Sequence, residues 1–194
     1  MQEWFSQTDS AVSIFINQWL SPWLDTLMIC WSWKWTWLPM YALLLYYLIR
    51  TFRGKELAFV LGGLVLLILL SDQTASALFK PLFQRLRPCH NPELLPLLRL
   101  PDGCGSMYGF ASSHAANSMA LAVFFLLLPR GIRNFRLGMA LLFWSLMNGW
   151  SRVYLGMHFA GDILCGFAIG AFWAACIHSF ARRFGIFDGN FRQG

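Results

Sequence analysis

The chain has 194 residues, enough for one domain. It is 57% hydrophobic and 17% aromatic, with only 12% charged residues. That is about half the roughly 25% charge of a soluble domain, so an ordinary water-soluble fold is excluded. The net charge of +6 does not point to nucleic acid either, because the basic residues stand in short clusters between apolar runs and not along one face.

The N-terminus carries Glu3 and Asp9 where a signal peptide would have a basic n-region, so insertion is expected to rest on the spans themselves. Residues 1–34 read as irregular. Val12, Ile14, Phe15 and Leu20 alternate with Ser13, Asn17 and Gln18, as in a helix lying at the membrane interface. Pro22 opens a second piece, Trp23 to Trp33, too short to cross a bilayer alone; whether the two pieces together form a span stays open.

Trp35 to Ile49 reads as a span, with Trp31, Trp33, Trp35 and Trp37 as an interfacial aromatic belt. Leu57 to Phe79 reads as the next, with Asp72 expected to find a structural partner inside the bundle. A polar loop covers about 84–111, and further spans follow at about Ser112–Leu128, Leu137–Val153 and Phe159–Phe180. The expected architecture is all-α: a single-domain polytopic membrane bundle of about six embedded segments, five of them clear spans and the N-terminal one irregular.

Of five cysteines, Cys30, Cys165 and Cys176 lie in apolar stretches and read as packing residues. Cys89 and Cys104 share the polar loop and can bridge if that loop faces an oxidising compartment, the bridge then steadying His114. Arg50, Arg53, Lys55, Arg130, Arg133, Arg136, Arg182, Arg183 and Arg192 fall on one side of the spans, nine of fifteen basic residues. Lys34, Lys80, Arg85, Arg87, Arg99 and Arg152 fall on the other. With three of those six assigned to chemistry, the asymmetry is nine to three, and the positive-inside rule places the polar loop outside the cytoplasm.

Three polar stretches then meet at the outer surface. They are Lys80 to Pro88, Ala111-Ser112-Ser113-His114, and Ser151-Arg152 to His158 and Asp162. Lys80, Arg87 and Arg152 supply cations for a phosphate, two of them as bidentate forks. Ser112 and Ser113 open a helix, whose N–H groups and hydroxyls also suit an anion. Asp162, four residues after His158 on an expected common helix face, can orient the imidazole so that its other nitrogen attacks phosphorus. His114 is placed to protonate the leaving oxygen.

These stretches resemble the signature of the phosphatidic-acid-phosphatase type 2 superfamily: K-x6-R-P, P-S-G-H and S-R-x5-H-x3-D. The first and third are met in full, and the middle one by Ser112 and His114, with Ala111 in place of proline and Ser113 in place of glycine. The resemblance covers residues 80–162 and fits small bacterial members. It implies a metal-free and cofactor-free lipid phosphatase with a phosphohistidine on His158, oriented by Asp162, and with His114 as acid and then base. Candidate substrates are polyprenyl diphosphate, a lipid A phosphate, phosphatidylglycerol phosphate and phosphatidic acid, at the outer face of a bacterial inner membrane. Vanadium haloperoxidases share the motifs but are soluble. The rival outside catalysis is a lipid-phosphate carrier. Arg85 reads as a snorkelling anchor, His90 as a loop residue and His178 as an interfacial one. The oligomeric state is left open.

Overall fold

The computed structural model describes residues 2–19, 21–128 and 134–186. Leu20, Arg130, Arg133 and Arg192 therefore lie outside the described residues. Within them every regular element is helical: α1 (Gln2–Asn17), α2 (Pro22–Ser32), α3 (Leu38–Thr51), α4 (Gly54–Gln73), α5 (Lys80–Phe83), α6 (Ser113–Leu127), α7 (Phe135–Tyr154) and α8 (Ala160–Arg183). One isolated antiparallel bridge, Leu86 to Tyr108, closes the polar loop.

Local chemistry sets the boundaries. Pro22 opens α2, where its missing N–H is no loss. A π-helical turn, Thr74–Phe79, joins α4 to α5. It ends two residues before Pro81, which has no N–H to give to the preceding turn. Gln84, in the left-handed region with φ of 45°, then turns the chain into the loop. Gly54–Phe83 forms 30 continuous helical residues, and it and the 24-residue α8 are both long and apolar enough to cross a membrane. The 15 residues of α6 span only about 22 Å at 1.5 Å per residue.

The molecule is apolar outside and partly polar inside. Leu43, Val65, Phe143, Leu164 and Phe172 are exposed on their helices, whereas Asp9, Arg87, Asn148, Arg152, His158 and Asp162 are buried. Helix α6 lies at the centre, with Ala115, Ala116, Ala120 and Ala122 fully buried. It meets α8 closely because Gly166 and Gly170 face it. A Cβ on Gly170 would lie 2.1 Å from the Ala116 carbonyl oxygen, and one on Gly166 would lie 2.5 Å from that of Ser112. Small residues at the contact let the two backbones approach, which brings His114 at the head of α6 toward His158 just before α8.

The N-terminal helix turns its polar stripe inward. Ser13 and Asn17 are buried while Val12, Phe15 and Trp19 are exposed. Asn17 Nδ2 donates to the carbonyls of Arg99 and Tyr154, and its Oδ1 accepts from Arg99 N–H. The polar residues of α1 thus hold the polar loop. The tryptophans divide likewise: Trp33 and Trp35 are exposed, but Trp31 packs edge-on against Trp37 at 4.9 Å, and Trp37 against Trp144 at 5.6 Å. Only half of the expected belt faces outward.

Candidate active site

His158 lies in the turn between α7 and α8, one residue before the helix cap Phe159. It is therefore not on a shared helical face with Asp162, as the spacing suggested. The pair still meets, because Asp162 stands in the first turn of α8 with its carboxylate curling back. Asp162 Oδ2 accepts from Phe159 N–H at 3.1 Å and approaches His158 Nδ1 at 3.3 Å. On the other side of the ring, Arg87 Nη1 is 3.1 Å from Nε2. A guanidinium is only a donor, so Nε2 must be the acceptor and Nδ1 must carry the hydrogen. One geometry fixes the tautomer.

Burial pushes the His158 pKa well below the ordinary 6.5, and the nearby charges of Arg87, Arg152 and Lys80 push the same way. The imidazole is therefore neutral at physiological pH, the state a nucleophile needs. Arg87 is pulled down from its usual 12.5 by burial, opposed by Asp162.

The cations converge as their spacing suggested. Lys80, Arg87, Arg152 and His158 all stand close enough to His114 to act on it electrostatically. Arg87 donates from Nη1 to the Met157 carbonyl at 3.0 Å and from Nη2 to Ser106 Oγ at 3.2 Å. Arg152 donates to Ser32 Oγ and to Met157 Sδ. The Nε atoms of both arginines are buried without a hydrogen-bond partner, and buried unsatisfied donors beside three cations fit an oxyanion.

The two serines differ. Ser112 caps α6, its hydroxyl facing Ala115 N–H at 3.5 Å, and its own N–H donates to the Asp162 carbonyl at 3.1 Å. This ties the second motif to the third through the backbone. Ser113 and His114 line a cavity of about 580 Å³.

Two contributors were not identified from the sequence. Arg85 does not snorkel. It forms ion pairs with Asp162 at 2.8 Å and Asp9 at 2.7 Å, and its guanidinium lies 4.0 Å above the Phe159 ring. Asp9 in turn accepts from Gly161 N–H at 2.8 Å. Asp9 is one of two acids, with Glu3, in a polar N-terminal segment, and nothing local marks it out.

Cys89 and Cys104 form a disulfide with Cα atoms 5.9 Å apart. Its reach is to Arg87, not to His114. Arg87 N–H donates to Met107, its side chain bonds Ser106, and a Cβ on Gly105 would sit 3.3 Å from its guanidinium carbon. The partner of Asp72 is Asn117, whose Nδ2 donates to it at 3.1 Å. His90 Nε2 faces the Gly105 carbonyl at 3.0 Å within the loop.

Comparison with known proteins identifies the family. The family model described as the PAP2 superfamily matches residues 57–186. A lipid A 4'-phosphatase of Bacteroides thetaiotaomicron is 37% identical over 175 residues, 89% of this chain and 76% of the relative. A lipid A 4'-phosphatase of Porphyromonas gingivalis is 34% identical over 171 residues, 87% of this chain and 70% of that one. Among solved structures, Aquifex aeolicus LpxE superposes with a TM-score of 0.66 at 22% identity, covering 87% of this chain and 93% of its own. The PAP2-type phosphatidylglycerolphosphate phosphatase of Bacillus subtilis gives 0.67 at 22% identity, covering 92% and 87%. At that identity the two structures speak for the fold alone. The family match spans more than half of the chain and the curated relatives align over most of it, so this protein belongs to the PAP2 superfamily and is a phosphatase.

Proposed function

We propose that the protein removes a phosphate from a membrane lipid through a phosphohistidine at His158 Nε2. The observation that carries this reading is the imidazole held between Asp162 at Nδ1 and Arg87 at Nε2. In the first step Arg87 Nη1 turns from Nε2 to a phosphate oxygen, the freed Nε2 lone pair attacks phosphorus, and the N–P bond forms as the bond from phosphorus to the ester oxygen breaks. His114 gives its proton to the departing alkoxide. Lys80, Arg87 and Arg152 hold the non-bridging oxygens and stabilise the charge that develops on them, with Ser113 at the helix start beside them. In the second step water attacks phosphorus, His114 takes the water proton, and the N–P bond breaks to release phosphate and neutral His158.

The names of the two curated relatives make a lipid A phosphate the leading substrate, ahead of polyprenyl diphosphate, phosphatidylglycerol phosphate and phosphatidic acid. The outward apolar surface of α3, α4, α7 and α8 supports a bundle embedded in the bilayer. The basic asymmetry supports a site on the extracytoplasmic face of the bacterial inner membrane. Phosphate release from lipid A by the detergent-solubilised protein tests the reading. His158→Ala is expected to abolish release while leaving the fold intact, and near-normal release by that variant overturns it.

A further inference from the structure

The cavity beside the phosphate cradle is an amphipathic slot. On α4 its wall runs from Asp72 through Ile68 to Leu64, and on α6 from His114 through Asn117 to Leu121. Eight residues of helix make the slot roughly 12 Å deep at 1.5 Å per residue. Its inner part is apolar, closed by Leu64, Leu121 and Trp144, and its outer part is polar.

The lining includes one cation, Lys34, and three acceptors from Asp72, Asn117 and Asn148. Asp72 receives one hydrogen bond, from Asn117 Nδ2 at 3.1 Å. The Oδ1 atoms of Asn117 and Asn148 are buried with no partner, and Asn148 is only 5% exposed. Each such atom costs free energy unless a donor reaches it. His114 is the wall shared between this slot and the cradle. On the catalytic route proposed above, it hands its proton to the leaving oxygen, so the leaving group lies on the slot side of phosphorus.

We infer that the slot is a leaving-group subsite in which Asp72, Asn117 and Asn148 read the hydroxyl and amide N–H donors of an acylated sugar, with an acyl chain running inward toward Leu64 and Leu121. This inference rests on the phosphatase reading and names the substrate class of that site. The other lipids fit less well. Diacylglycerol, from phosphatidic acid, and polyprenyl phosphate, from a polyprenyl diphosphate, bring no sugar hydroxyl or amide N–H to the three acceptors. Phosphatidylglycerol, the leaving group of phosphatidylglycerol phosphate, brings one further hydroxyl and no amide N–H. A site built to hydrogen-bond a substrate discriminates strongly against analogues lacking the donors.

The test is the ratio of kcat/KM for lipid A to that for phosphatidic acid, in mixed micelles, for wild type, Asp72→Asn and Asn148→Leu. Both values come from one preparation, so the ratio is independent of the folded fraction. The ratio is expected to fall at least tenfold in each variant. A ratio within twofold of wild type, or loss of both activities in parallel, overturns the inference. Failure of the wild-type protein to release phosphate from either lipid would instead overturn the phosphatase reading on which it rests.

Discussion

Arg85 bridges the N-terminal helix to the carboxylate beside His158, donating from Nη1 to Asp162 Oδ1 at 2.8 Å and from Nη2 to Asp9 Oδ2 at 2.7 Å. Asp162 therefore meets three donors, from His158, Phe159 and Arg85. Its orientation depends on a residue more than 70 positions away in sequence. Small misplacements of a reacting group cost up to about a hundredfold in rate. Asp9→Asn is expected to lower kcat roughly ten- to a hundredfold with little change in KM, and Asp9→Glu to restore part of it. Steady-state kinetics on one lipid phosphate checks this. A rise in KM at constant kcat contradicts it.

The Cys89–Cys104 bridge predicts a redox-sensitive Arg87. By chain entropy a loop of this size gains about 3 kcal/mol from its cross-link, and residues 105–107 pack around Arg87. The Cys89→Ser/Cys104→Ser double variant is expected to melt lower in detergent and to lose activity mainly through weaker phosphate binding, raising KM. Kinetics and melting matching the wild type, or free thiols at both positions in protein isolated from an oxidising compartment, contradict it.

His158 also leaves a signature in stability. Its folded-state pKa lies well below the ordinary 6.5 because of burial and the surrounding cations. The unfolded chain thus takes up a proton that the folded one refuses. This residue's contribution to stability is complete above about pH 6.5 and is lost as pH falls below that value. Melting midpoints from about pH 8 to pH 5 are expected to fall less steeply in His158→Gln than in wild type over this range. Equal slopes contradict a neutral buried imidazole.

The motifs were legible because their chemistry is local or fixed in spacing. Lys80, Arg87, Arg152, His158 and Asp162 carry unusual polarity at or near helix ends, and the packing of those helices brings them together. The Asp9–Arg85 link was not legible, since an arginine at a span end looks the same whether it snorkels or bridges two carboxylates 77 and 76 residues away. The apolar residues of α1 suggested an interfacial helix. That Ser13 and Asn17 face the protein depends on partners at Ala160, Arg99 and Tyr154, which no local pattern encodes. The cysteine pair was readable from its shared loop. Its effect on Arg87 was not, because loop geometry decides which residues the bridge steadies.

Topology is open to a direct check. In a background lacking Cys30, Cys165 and Cys176, a cysteine introduced at Pro96 is expected to react with a membrane-impermeant reagent on intact cells. One introduced at Arg136 is expected to react only after lysis. The reverse pattern contradicts a site facing away from the cytoplasm.

On the proposed route His158 Nε2 carries the phosphoryl group between the two steps. Brief mixing with lipid A, an alkaline quench to preserve a phosphoramidate, and peptide mass mapping test it most directly. One phosphoryl group is expected on the peptide containing His158 during turnover, and none on the corresponding peptide of His158→Ala. Its absence under turnover, or a phosphoryl group on any other residue, would contradict the account.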